Sequence, residues 1–190
     1  MKPLQSIAMG LVIILLVAPA EGFHGYDLLP DYVGWLLVLL GVRDLDLPAE
    51  AKKSLLALAG VALVIAAVFW FPAVTDALLE RTATESSAID WARNLPALLS
   101  QALLCHLLAA RARSAGDRRA GGWLAIARTA YLLLAALPVL VFGAGWAALE
   151  SSLYIGTGLL TLSLIVLLFT YASRPWASVV NRTTPDASAT

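Results

Sequence analysis

The sequence predicts an all-α polytopic transmembrane bundle of about six spans, and three observations carry that reading. Apolar stretches of near-membrane length recur along the chain. Of its 190 residues, 60% are hydrophobic and 14% charged, against roughly 45–50% and about 25% in an average soluble domain. Basic and acidic residues also alternate between the apolar stretches. The formal net charge is zero, with 13 basic and 13 acidic residues, so no basic face calls for nucleic acid. A single cysteine, Cys105, excludes an intramolecular disulfide and a cysteine-based metal cluster. The length fits one membrane domain over residues 1–172, with a Pro-, Ser- and Thr-containing tail over 173–190 that reads as disordered and cytoplasmic.

The first stretch, Leu4–Ala20, follows Lys2 and ends on Ala18, Pro19 and Ala20, which is also the grammar of a secretory signal. Pro19 beside the scissile bond argues against cleavage, so a retained helix is expected. Leu28–Val42, at 1.5 Å per residue, reaches about 22 Å against a hydrocarbon core of about 30 Å, and is short. Ser54–Val74 is long enough to span alone and closes on the interfacial aromatics Phe69, Trp70 and Phe71. Thr75–Asp90 is polar and acidic and reads as an exposed loop that has room for a surface helix. Leu95–Ala110 is the fourth span, Trp123–Leu149 the fifth with a kink at Pro138, and Leu153–Tyr171 the sixth.

Orientation follows from the basic residues. With six spans and an internal N-terminus, Lys2, Arg43, Lys52, Lys53, Arg111, Arg113, Arg118, Arg119, Arg174 and Arg182 fall inside, and Arg81 and Arg93 outside. Both termini are therefore expected in the cytoplasm. Omitting the first span leaves the later loops on the same sides, so the charges fit five spans as well as six.

The most distinctive stretch is Asp27, Leu28, Leu29, Pro30, Asp31, Tyr32, Val33, Gly34 and Trp35. Read structurally, Asp27 caps a helix with Pro30 in its first turn, both carboxylates face the positive end of the dipole, and Gly34 admits a neighbouring helix. Read functionally, Asp27 and Asp31 share a helix face at an external vestibule and take a cation or proton. Capping is the preferred reading. With Leu40 and Gly41 following, the stretch resembles the Asp-Ile-Leu-Pro-Asp-Phe-Ile-Gly-Tyr pattern of an uncharacterised family of small multi-spanning membrane proteins from Gram-positive bacteria. The resemblance covers about fifteen residues, with Tyr32 and Trp35 in place of Phe and Tyr. It implies a bacterial plasma membrane and brings no catalytic residue.

On the fourth span, Asn94, Gln101 and Cys105 fall on one face, with His106 beside them near the inner end. Such a stripe faces other helices, because polar groups facing hydrocarbon go unpaired. Interhelical hydrogen bonding is the preferred role. A lone His beside a lone Cys is no zinc site, which needs three or four ligands, and His24 lies on the opposite side, so no metal or cofactor is expected. Arg128, five residues past Trp123, is expected to snorkel toward the inner surface. Ser152, Gly156, Thr157, Gly158 and Thr161 make the sixth span a candidate for close helix contact. Nucleotide, hydrolase and metalloprotease motifs are absent.

The expected function is therefore non-catalytic: a structural or accessory membrane protein, with the bilayer as its first partner and a membrane protein or a second copy as the open options. The alternative is a transporter or ion-pathway subunit with Asp27 and Asp31 at its mouth. A dry, packed stripe at Gln101 would favour the first. A cavity reaching the midplane would favour the second.

Overall fold

The computed structural model describes residues 2–16, 30–71, 74, 83–144 and 150–177, and every regular element among them is helical. The helices are α1 (Pro3–Leu15), α2 (Asp31–Asp44), α3 (Ala49–Phe69), α4 (Ala83–Ser114), α5 (Arg118–Ala144) and α6 (Glu150–Tyr171), followed by a 3-10 turn at Pro175–Ala177. Each helix packs on the next in sequence and α6 returns to α1, closing a ring.

Four helices are long and apolar enough to cross a membrane, over Ala49–Phe69, Ile89–Ser114, Arg118–Val139 and Ser152–Tyr171. Their outward faces are apolar. Val64 is 58%, Leu159 60% and Ile126 61% exposed, a surface suited to lipid rather than water. The helices α1 and α2, with 13 and 14 residues, reach only about 20 Å, as the second apolar stretch led us to expect.

Glycine sets how closely α1 and α2 approach. A Cβ on Gly10 would collide with the carbonyl oxygen of Gly34, and one on Gly34 would come within 2.5 Å of the Gly10 oxygen. One on Gly41 would lie 2.7 Å from the Pro3 oxygen. Ser6 Oγ adds a bond to the Leu37 carbonyl at 2.9 Å across the same seam. The core residues Leu4, Ile7, Ala8 and Leu11 of α1 are at most 1% exposed. Close contact thus falls on the first two helices. The small residues of α6 behave differently: nothing lies within 4 Å of a Cβ on Gly158, and only Leu134 within 3.9 Å of one on Gly156.

Three boundaries differ from the sequence expectation. Pro30 is the N-cap of α2 and Asp31 opens the helix, with no side-chain cap bond. Asp27 is therefore not that cap, and it lies outside the described residues. The helix α4 starts at Ala83, twelve residues before Leu95, and runs through Pro96. Its extra turns are held by an Arg93–Asp90 ion pair at 3.0 Å and by Trp91, whose Nε1 donates to the Ala135 carbonyl on α5 at 2.9 Å. Pro138 has no N–H for the Leu134 carbonyl four residues before it, which loosens this turn of α5 beside the Trp91 contact. Finally, the segment expected to be a tail stays ordered through Ala177, with Trp176 buried against Tyr171.

The α4–α5 turn explains that last feature. Gly116 has φ +83°. Asp117 N donates to the Ala112 carbonyl and Gly116 N to the Arg113 carbonyl, a Schellman closure of α4. Asp117 Oδ1 then accepts from Ala120 N at 3.0 Å and caps α5, while Oδ2 accepts from the Trp176 indole at 3.2 Å. These bonds, the Ala120 N–H first and the Trp176 indole next, hold the Asp117 carboxyl below its usual range, with the Arg174 charge adding to them and partial desolvation opposing. A carboxyl favoured as the anion in the folded state contributes stability above its ordinary pKa and loses it as pH falls through the lowered folded value. Acidification below the ordinary Asp range should therefore release the 3-10 turn. The Trp176 indole N–H resonance is expected to move there toward its solvent position, and to sit there at neutral pH in Asp117→Asn. A resonance unmoved by either change would refute the cap-and-anchor arrangement.

Candidate binding cleft

Two clefts open in the half of the ring away from the basic turn, and they share Ile14, Asn94 and Ala97 as a partition. The larger, about 300 Å³, lies among α1, α4, α5 and α6. Its walls are apolar: Ile14 and Leu15 from α1, Trp91 and Leu98 from α4, Leu134 and Pro138 from α5, Leu153 and Tyr154 from α6. Its polar groups are Asp90, Asn94, Gln101, Thr157 and Thr161. The second, about 230 Å³, lies among α1 to α4 and is bordered by Asp31, Trp35, Phe69, Trp70, Arg93 and Asn94. Aromatic contacts frame its rim. Tyr32 meets Trp70 edge-on at 5.7 Å, Trp70 meets Phe71 at 5.4 Å, and the Arg93 guanidinium lies 5.2 Å from the Phe69 ring centre.

Gln101 is the floor. It lies twelve residues from Ile89 and thirteen from Ser114, at the middle of its apolar segment. It is 6% exposed, and its Oε1 is buried without a hydrogen-bond partner among the described residues. The neighbouring buried polar groups are satisfied. Ser100 Oγ donates to the Ala97 carbonyl, and Tyr131 Oη donates to Thr161 Oγ1 at 3.4 Å. Toward the basic end, a void of about 10 Å³ among Leu11, Trp35, Ser100, Gln101 and Leu104 ends the open space. Leu4, Leu108, Leu124 and Leu168 are all 0% exposed there. Among the described residues, the clefts thus occupy one half of the ring down to Gln101, and the other half is packed.

The sequence-predicted polar residues divide. Gln101 and Cys105 face the interior, and Asn94 borders both clefts. Asp31 borders the smaller cleft and shares it with Asn94 and Arg93. His106 is turned away from both clefts. It is exposed on the outside of the bundle, where its Nδ1 meets Arg128 Nη1 at 3.3 Å. Asp27 and His24 lie outside the described residues. Sequence reasoning missed Asp90, Trp91, Tyr154 and Thr157 as cleft residues. The available signal was the run of small residues on α6, which leaves room instead of closing a seam. Among the described residues, no three His, Cys, Asp or Glu side chains converge as a metal site would require.

No family model, no curated protein and no solved structure matches this chain.

Proposed function

We propose that this chain is a multi-pass protein of the bacterial plasma membrane, with its basic end in the cytoplasm. In this reading it binds a small molecule in an outward-facing cleft, as a transporter or solute-pathway subunit. The observation that carries the reading is the cleft ending at mid-span on the unpartnered Gln101 Oε1. Buried acceptors in folded proteins are nearly always satisfied, so an orphan at a cavity floor is an unfilled binding contact. The walls favour a largely apolar molecule. Gln101 Oε1 favours one carrying a hydrogen-bond donor, and Asp90, the carboxylate that lines this cleft, is paired with Arg93, which favours a neutral one. The alternative, a non-catalytic structural or accessory partner, draws on the dense packing of the basic half, where Leu4, Leu108, Leu124 and Leu168 leave no exposed surface.

One labelling series tests both orientation and cleft, in a background carrying Cys105→Ala. Lys53→Cys and Arg118→Cys should react in intact cells only with membrane-permeant thiol reagent, and Glu85→Cys with impermeant reagent. Gln101→Cys should react with a small impermeant methanethiosulfonate. Reversed labelling at the first three sites would invert the orientation. Protection of Gln101→Cys from both sides would return the reading to the accessory role.

A further inference from the structure

Arg128 carries a charge that no described carboxylate neutralises. It sits ten residues into α5 from Arg118, about 15 Å along the axis, and His106 sits eight residues from Ser114, about 12 Å from the same end of α4. Because a guanidinium only donates, the 3.3 Å contact makes His106 Nδ1 the acceptor, with the imidazole neutral and its hydrogen on Nε2. Arg128 Nε is buried and has no hydrogen-bond partner among the described residues. No carboxylate among the described residues pairs with Arg128. At this end Asp46 is engaged by Arg111 and Asp117 by Arg174. The pair therefore presents donors alone and one uncompensated positive charge at spanning depth, where such a charge calls for an anion.

Its placement narrows the anion. Side chains tilt toward the N-terminus of their helix, so Arg128 leans toward the basic end. Seven residues after His106, on the same seam of α4 and α5, lies Arg113. Its Nη2 donates to the Gly121 carbonyl at 3.2 Å, and Gly121 is seven residues before Arg128. One cation thus stands near headgroup level and another about 10 Å deeper. Trp123, 51% exposed, lies between them in depth as an interfacial aromatic. We propose that the α4–α5 seam holds an anionic phospholipid of the leaflet at the basic end. Its phosphate accepts the guanidinium N–H groups that His106 leaves free, and His106 positions the fork. This site is independent of the cleft.

The test is native mass spectrometry of the full chain in nonionic detergent with dioleoyl phosphatidylglycerol or dioleoyl phosphatidylcholine. The glycerol lipid should be retained in preference. Arg128→Gln should lower its retention about tenfold, the loss expected of a charge-assisted bond. Arg128→Lys keeps the charge without the fork and should lower it about threefold. His106→Phe should also reduce the preference for the anionic lipid although the cation remains, and it carries the test if Arg128→Gln fails to fold. Arg119→Gln, elsewhere on the turn, should leave the preference unchanged. Equal retention of the two lipids, or full preference in folded Arg128 and His106 variants, would overturn the proposal. Displacement of the lipid by millimolar inorganic phosphate would overturn the lipid as occupant and assign the seam to a soluble phosphate.

Discussion

Gly34→Ala should lower the melting temperature of the detergent-solubilised protein markedly. The new Cβ would stand 2.5 Å from the Gly10 oxygen and 2.6 Å from Ile14 Cγ1. A backbone carbonyl cannot swing aside as a side chain does, so α1 and α2 must separate. Overpacking of this kind costs about 1–3 kcal/mol, and Gly34→Leu should cost more. Gly60→Ala is the control. Nothing lies within 4 Å of that Cβ, and replacing a mid-helix glycine should gain about 0.5–1 kcal/mol. Equal melting of native protein and Gly34→Ala would mean that α1 and α2 do not meet through their glycines.

Gln101→Leu should have the opposite sign, stabilising the fold while abolishing ligand-dependent stabilisation. Leaving a buried acceptor without a partner costs about 1–3 kcal/mol, and an apolar side chain of similar size removes that cost. Thermal melting with and without candidate solutes reads both effects. A destabilised Gln101→Leu would show that the amide is engaged by the protein, and the cleft would then lose its floor contact. The pairing of greater stability with lost binding is what separates a functional residue from a packing one here.

Much of this arrangement was legible in the sequence because lipid imposes few and strict rules. A helix that crosses hydrocarbon must be apolar along its outer face, so the spans from Ser54 onward announce themselves by composition. Gln101 was legible for the same reason, since an amide in such a helix has to face inward. Pair contacts were less legible. His106 meets Arg128 because the Schellman closure at Gly116 and the cap at Asp117 fix the register of α4 against α5, and spacing alone does not report that register. The cleft was hidden because it arises from a mismatch. The small residues on α6 invite a neighbour to approach, and Leu134 stays 3.9 Å from a Cβ at Gly156. Residue identity gives the permission for contact, and the positions of three other helices decide whether it is used.

The contact between α1 and α6 has a consequence for how the molecule is made. The helix α1 borders α6, so the ring cannot close until translation has passed Tyr171. At about 5–20 residues per second the wait is on the order of ten seconds. During that time α1 is held through Gly10, Gly34 and Gly41 on α2 alone, with its other flank against lipid. In hydrocarbon that flank carries no hydrophobic penalty, which lets an incomplete assembly persist without aggregating. A nascent chain stalled before α6 should therefore be an intact arc of α1 to α5 with α1 already seated, and α6 should act as a closing stave rather than a nucleus.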